Sequence, residues 1–177
     1  MNVILIGYRC SGKTSVGKIL AQKMGLSFVD TDELLVEKHG RSVSEIVRND
    51  GWDGFRGLEQ AIIQEVCAQN STVIATGGGA VLDPANVSAM QHSGPVVWLK
   101  VKPETVKQRM ALDDDTDVLR PPLTSKGLYA EITAVMNARM PCYEKAMDFS
   151  IDTDGQTIIE IVEIVRKKVF GTITRPG

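Results

Sequence analysis

Five short runs of apolar residues, rich in β-branched side chains, punctuate the chain: Val3 to Ile6, Ser27 to Asp30, Thr72 to Ala75, Val96 to Val101 and Phe149 to Ile151. They are continuously apolar rather than alternating, as a strand covered on both faces requires, so they predict a parallel sheet. The intervals between them carry helical spacing. Val16, Ile19, Leu20 and Met24 fall on one stripe, and Ile158, Ile161, Val162, Val165 and Val169 on another, and stripes of that width face a sheet. Ser42 with Glu45 has the spacing of a capping box that opens a short helix, and Pro103 suits the first turn of a helix running to about Met110. Strand and helix alternate throughout, which predicts an α/β protein, a three-layer α/β/α sandwich.

One stretch breaks the alternation. Leu112 to Gly127 contains acids, two prolines and no apolar period, so it reads as a long irregular loop of the kind used as a lid. Gly171 to Gly177 reads as a frayed tail. At 177 residues the chain has the length of one domain, 1–177, with the lid at about 112–127 inserted in it. A net charge of −2 gives no general attraction to nucleic acid or to an anionic membrane, so any anion site must be built locally. Cys10, Cys67 and Cys142 are far apart and lack the spacing of a zinc site or disulfide framework, which fits a reducing cytosol. The first ten residues lack the basic and apolar segments of a signal peptide, and no run approaches the twenty apolar residues of a membrane span. The expected location is the cytoplasm, and the expected state a monomer.

The strongest chemical signal is Gly7-Tyr8-Arg9-Cys10-Ser11-Gly12-Lys13-Thr14, which fits Gly, four residues, Gly-Lys-Ser/Thr between a strand and a helix. Gly7 and Gly12 permit backbone geometry that turns successive N–H groups toward phosphate oxygens, and the helix N-terminus adds partial positive charge. Lys13 then reaches the β- and γ-phosphates, and the Thr14 hydroxyl ligates magnesium. The bland reading is a glycine turn before an amphipathic helix. Cys10 reads as a small loop filler, with a thiolate stabilised at the helix N-terminus as the alternative.

Such a loop does not name the phosphate acceptor. Asp30 and Asp32, at the C-terminal end of the second run, have the spacing that puts two carboxylates on one side of an extended chain, one to serve magnesium and one to meet an acceptor hydroxyl. Asp32 equally fits a helix N-cap. Farther on come Phe55-Arg56-Gly57-Leu58-Glu59 and, after the third run, Gly77-Gly78-Gly79, where a ligand against bare backbone and a loose turn are both open readings. Arg120 lies in Leu119-Arg120-Pro121-Pro122-Leu123 and Arg139 in Arg139-Met140-Pro141-Cys142-Tyr143; each alone reads as a solvated charge.

As an ordered set, these motifs closely resemble the shikimate kinase family, from Ile4 to about Val169. The resemblance implies a fold like that of the nucleoside monophosphate kinases, with a five-stranded parallel sheet in the order 2-3-1-4-5. It implies MgATP-dependent phosphorylation of the 3-hydroxyl of shikimate. Carried over residue by residue, it places Cys10, Ser11, Gly12, Lys13, Thr14 and Ser15 around the ATP phosphates, with Thr14 on magnesium and Asp30 holding the metal's water shell. Asp32 meets the acceptor hydroxyl and accepts its proton. Arg56 and Arg139 grip the carboxylate, with Glu59 orienting Arg56, and the backbone of Gly77, Gly78 and Gly79 lines the acceptor, Gly78 N–H taking a ring hydroxyl. Arg120 swings in with the lid, and Gln156 and Arg109 flank adenine.

Three departures accompany the resemblance. Trp52-Asp53 follows Gly51 where the family often has Glu; Asp113, Asp114, Asp115 and Asp117 make the lid acidic and are expected to face solvent; and Gln156 stands where relatives sometimes carry a basic residue. His39 and His92 read as ordinary surface residues, and the methionines at 24, 90, 110, 136, 140 and 147 as core or lid packing. The competing functions are a gluconate kinase or another small-metabolite kinase of similar fold, and a nucleotide-dependent switch that transfers no phosphate.

Overall fold

All five apolar runs are strands of one sheet in the computed structural model, which describes residues 1–112 and 128–171, with the side chains of all of these except 128–130. The strands are β1 (Val3–Ile6), β2 (Ser27–Asp30), β3 (Thr72–Ala75), β4 (Val96–Lys100) and β5 (Phe149–Asp152). The order is β2-β3-β1-β4-β5 and every pairing is parallel, with Ile4 opposite Ile74 on one side and Val96 on the other. The helices among the described residues are α1 (Lys13–Met24), α2 (Thr31–His39), α3 (Val43–Cys67), α4 (Pro84–Ser93), α5 (Pro103–Ala111), α6 (Leu128–Ala146) and α7 (Ile158–Phe170), with a 3-10 turn at Ala80–Leu82. The expected lid, residues 113–127 of it, and the tail from 172 lie outside the described residues.

The two-residue side-chain period of β1 divides the core. Val3 and Leu5 pack with Val16 and Leu20 of α1 and with Ile161, Val162 and Val165 of α7, while Ile4 and Ile6 point the other way, against Ile63 and Met90. Both helical stripes expected from the sequence therefore cover one face. Truncating a fully buried member such as Leu20 to alanine costs about 2–5 kcal/mol, because the close-packed layer collapses only partly around the cavity.

Ser42 and Glu45 form a reciprocal capping box, and the helix they open is short as expected: Gly51, with a φ of 73° and a ψ of 176°, is non-helical and separates it from a second helix that runs on to Cys67. Resumption of the helix after Gly51 puts Trp52, Phe55, Arg56 and Glu59 on one face, since they are spaced at three, four and seven. Met90 and Met110 are buried as expected, and Met140 is 42% exposed. His39 and His92 are exposed. Among the described residues no helix is long and apolar enough to cross a membrane.

Candidate active site

The C-terminal ends of β1, β2 and β3 converge on one edge of the sheet, where open α/β sheets hold ligands. The loop after β1 turns at Gly7 and enters α1 through Gly12, whose φ of 92° is closed to most side chains. A Cβ at Gly7 would come within 2.6 Å of the Leu99 carbonyl oxygen, so β4 fixes how close this loop can lie. Lys13 Nζ lies across the loop it belongs to and donates to the carbonyls of Gly7 and Tyr8, each at 2.8 Å. Ser11 is buried, Cys10 is half-buried with a φ of 59°, and Ser15 is exposed on the first turn of α1.

Asp30 joins this loop to β2. Its Oδ2 accepts the Thr14 hydroxyl at 2.7 Å, and its Oδ1 accepts the backbone N–H groups of Asp32 and Glu33. Asp30 is thus the N-cap of α2, and Asp32 sits inside the first helical turn. The pair is therefore not carried on one extended chain, as the sequence spacing suggested, because the backbone leaves the strand at Asp30. Asp32 and Val43 form a wall common to two neighbouring depressions, one containing Thr14 and Asp30 and the other containing Arg56 and Arg139.

That second depression brings together Asp32, Arg56, Gly77, Gly78, Gly79 and Arg139 from four separate segments. Arg56 pairs with Glu59, which is 2% exposed. Burial pushes the Glu59 carboxyl above its ordinary range, and the adjacent Arg56 guanidinium opposes that rise without cancelling it. The three glycines have a steric explanation. A Cβ at Gly77 would fall 2.7 Å from Asp32 Oδ1 and 2.8 Å from Glu59 Oε1, and one at Gly79 would fall 2.6 Å from Arg56 Nη1. Gly78 backs onto Arg9 N and Gly7 O, each 3.4 Å from its would-be Cβ. The bare backbone makes room for the site's own charged side chains as well as for any ligand.

Arg139, 9% exposed on α6, donates through Nη1 to Gly78 O at 3.2 Å, and Tyr143 Oη donates to the same oxygen at 2.6 Å. Burial raises the Tyr143 phenol far above its ordinary value, so it stays protonated. Sequence reasoning missed Arg9 as a lining residue: only 8% exposed, it brings a third guanidinium to the depression, with its central carbon 5.6 Å from the Tyr8 ring centroid. Its place inside a phosphate-loop motif hid that role, since the pattern leaves the position unspecified. Val43, Trp52 and Phe55 supply the apolar walls, and the helical spacing after Gly51 was the available signal for the last two.

The residues assigned to adenine lie apart from this depression. Arg109 Nη1 donates to Cys10 O at 2.7 Å, tying α5 to the phosphate loop, and Gln156 Nε2 donates to Asp152 O at 2.6 Å beyond β5. The loops that follow β4 and β5 meet where Asp154 Oδ2 accepts Lys102 N–H at 2.9 Å. Arg120 and the acidic run at 113–117 lie outside the described residues.

Comparison with known proteins adds a family to this geometry. Residues 9–170 match the family model described as "Shikimate kinase". A shikimate kinase of Moorella thermoacetica is 40% identical over 166 residues, covering 94% of this chain and 92% of that protein. Among solved structures, a shikimate kinase from Acinetobacter baumannii in complex with shikimate superposes with a TM-score of 0.90 at 27% identity, covering 98% of this chain and 95% of the other. A gluconokinase from Sinorhizobium meliloti, at 16% identity and a TM-score of 0.52 over 92% of this chain and 87% of its own, shares the fold alone.

Proposed function

Because this chain belongs to the shikimate kinase family, we propose that it transfers the γ-phosphoryl group of ATP to the 3-hydroxyl of shikimate, giving shikimate 3-phosphate and ADP. The observation that carries the reading is the convergence of Arg56 and Arg139 with Asp32 on one depression beside the Gly7 to Thr14 loop. Shikimate is a small ring with one carboxylate and three hydroxyls. Two guanidinium forks match that carboxylate and fix its orientation, and charge-assisted bonds of this kind contribute about 1.5–3 kcal/mol each.

In this reading the 3-hydroxyl lies against Asp32, which accepts the proton as the hydroxyl oxygen bonds to phosphorus and the bond to the ADP oxygen breaks. Lys13 leaves the loop carbonyls for the β- and γ-phosphates. The N–H groups from Cys10 to Ser15 cradle the phosphates, and Gly78 N–H meets a ring hydroxyl. Arg120 neutralises charge on the transferring group as the segment carrying it closes, and Arg109 and Gln156 border the adenine. Phosphoryl transfer needs positioning and charge neutralisation rather than covalent chemistry, so these groups suffice.

Magnesium fits the remaining oxygens. The Thr14 hydroxyl and the Asp30 carboxylate, 2.7 Å apart, are the hard donors this ion prefers. Among the described residues no three His, Cys, Asp or Glu side chains gather, which suits an ion that takes most of its shell from phosphate and water. Thr14 would ligate it and Asp30 would hold its water shell; bound there, it supplies positive charge to the β- and γ-phosphate oxygens. Shikimate and ATP are the partners of this reading. The enzyme is a cytoplasmic monomer in it, without nucleic-acid or membrane partners.

An ADP-release assay with shikimate, with gluconate and with no acceptor tests the proposal. Release that depends on shikimate is the expected result. Release with gluconate points to the other metabolite kinase, and none with either acceptor points to a switch.

A further inference from the structure

Tyr143 has no part in the reaction as described, yet its hydroxyl makes the shorter of the two bonds from α6 to Gly78 O in the acceptor depression. We infer that Tyr143 is a positioning residue that keeps the Gly77 to Gly79 backbone in its binding conformation and leaves Arg139 available to the substrate carboxylate. The inference rests on the functional reading above and deepens it.

A stretch of three glycines has no side chains to anchor it and a wide choice of backbone angles, so its shape must come from hydrogen bonds. Three of those are supplied nearby: Gly77 N–H donates to Thr31 Oγ1 at 3.1 Å, Ala80 N–H to Gly77 O at 3.1 Å, and Leu82 N–H to Gly79 O at 3.0 Å. The centre of the stretch is fixed from α6, where Tyr143 Oη lies 2.6 Å and Arg139 Nη1 3.2 Å from Gly78 O. A peptide unit is planar and trans, so pinning that carbonyl also sets the direction of the Gly79 N–H, which lies antiparallel to it at the edge of the depression.

Two donors on one oxygen are not redundant. Arg139 is the group proposed to grip a carboxylate, and a guanidinium drawn to that anion turns away from a neutral carbonyl. Tyr143, one helical turn farther along α6, carries no charge that would draw it to the anion. It is 2% exposed, stays neutral, and its ring stacks on Trp98 of β4 with centroids 5.3 Å apart and an interplanar angle of 16°. Its hydroxyl therefore sits on a rigid mount anchored in the sheet, and holds Gly78 O whether or not Arg139 is engaged.

The test is Tyr143→Phe, which keeps the ring, the stack and the burial and removes only the hydroxyl, with its bond to Gly78 O and its contact with Arg139. The shikimate KM is expected to rise about five- to thirty-fold while the ATP KM stays within about two-fold. A merely structural role would move both constants together, or neither. Arg139→Lys, alone and combined with Tyr143→Phe, gives a second readout. Lysine lacks the planar fork whose separate nitrogens let a guanidinium reach the carbonyl and the carboxylate together, so the double variant is expected to raise the shikimate KM beyond the product of the two single effects. An unmoved shikimate KM in Tyr143→Phe, an equal rise for ATP, or a purely multiplicative double variant overturns the inference while the functional reading stands. A parent enzyme that releases no ADP with shikimate overturns the functional reading, and the inference with it.

Discussion

The Thr14 hydroxyl donates to Asp30 Oδ2 at 2.7 Å. That bond joins the first turn of the helix behind the phosphate loop to the end of β2, and the other oxygen of the same carboxylate caps α2, the helix that carries Asp32. One side chain thus sets the distance between the groups proposed to serve the metal and the group proposed to meet the acceptor.

Asp30→Asn separates these duties. Asparagine caps helices as well as aspartate does, so Tm should move by less than about 2 °C. The loss of charge beside Thr14 should lower kcat on the order of ten-fold or more and raise the magnesium concentration needed for half-maximal rate. A magnesium titration that leaves the midpoint unchanged would remove Asp30 from the metal's water shell.

Asp32→Asn is expected to leave the shikimate KM within a few-fold of the parent and to lower kcat by a factor on the order of 10² or more, because the amide cannot take the hydroxyl proton. Steady-state kinetics with both substrates checks this. Turnover at the parental rate would show that the proton leaves by another route.

Arg139→Ala should raise the shikimate KM by about ten- to a hundred-fold with little change for ATP, from the loss of charge-assisted bonds to the carboxylate. Gly79→Ala should reach a similar phenotype by another path, since its methyl would meet the Arg56 guanidinium at 2.6 Å and push it from its place beside Glu59. Isothermal titration of shikimate into each variant measures the effect. Parental affinity in Gly79→Ala would mean that Arg56 binds equally well from a displaced position.

Glu59 gives a pH dependence. Its carboxyl lies above the ordinary value of 4.5 chiefly because it is buried, so the folded protein holds that proton more tightly than the unfolded chain does. Its contribution to stability is fully present below the ordinary value and is lost as pH rises through the raised one. Glutamine has no proton to lose. The Tm of Glu59→Gln relative to the parent should therefore climb between about pH 4 and about pH 8, and thermal melts across that range check it. A constant difference would contradict the assignment.

Much of the architecture was legible in advance because it is written in short-range patterns. Val3 to Ile6 and Thr72 to Ala75 announce buried strands by continuous apolar runs, Val16 and Leu20 announce a helix face by spacing, and Gly12-Lys13-Thr14 announces a phosphate loop by residue type. One element boundary shifted where a local choice had two outcomes: Asp30 rather than Asp32 became the cap of α2.

Neighbouring residues alone specify the alternation of strand and helix, the loop before α1 and the residue types able to do the chemistry. It takes the packed fold to bring Arg9, Arg56 and Arg139 into one depression, to make the glycines yield space to Asp32, Glu59 and Arg56, and to carry Tyr143 to a carbonyl 65 residues away in sequence. Periodicity reports which face of an element is apolar, a property of neighbours along the chain. Which polar groups meet depends on the order and crossing of strands, and that order is set by the packing of the whole sheet.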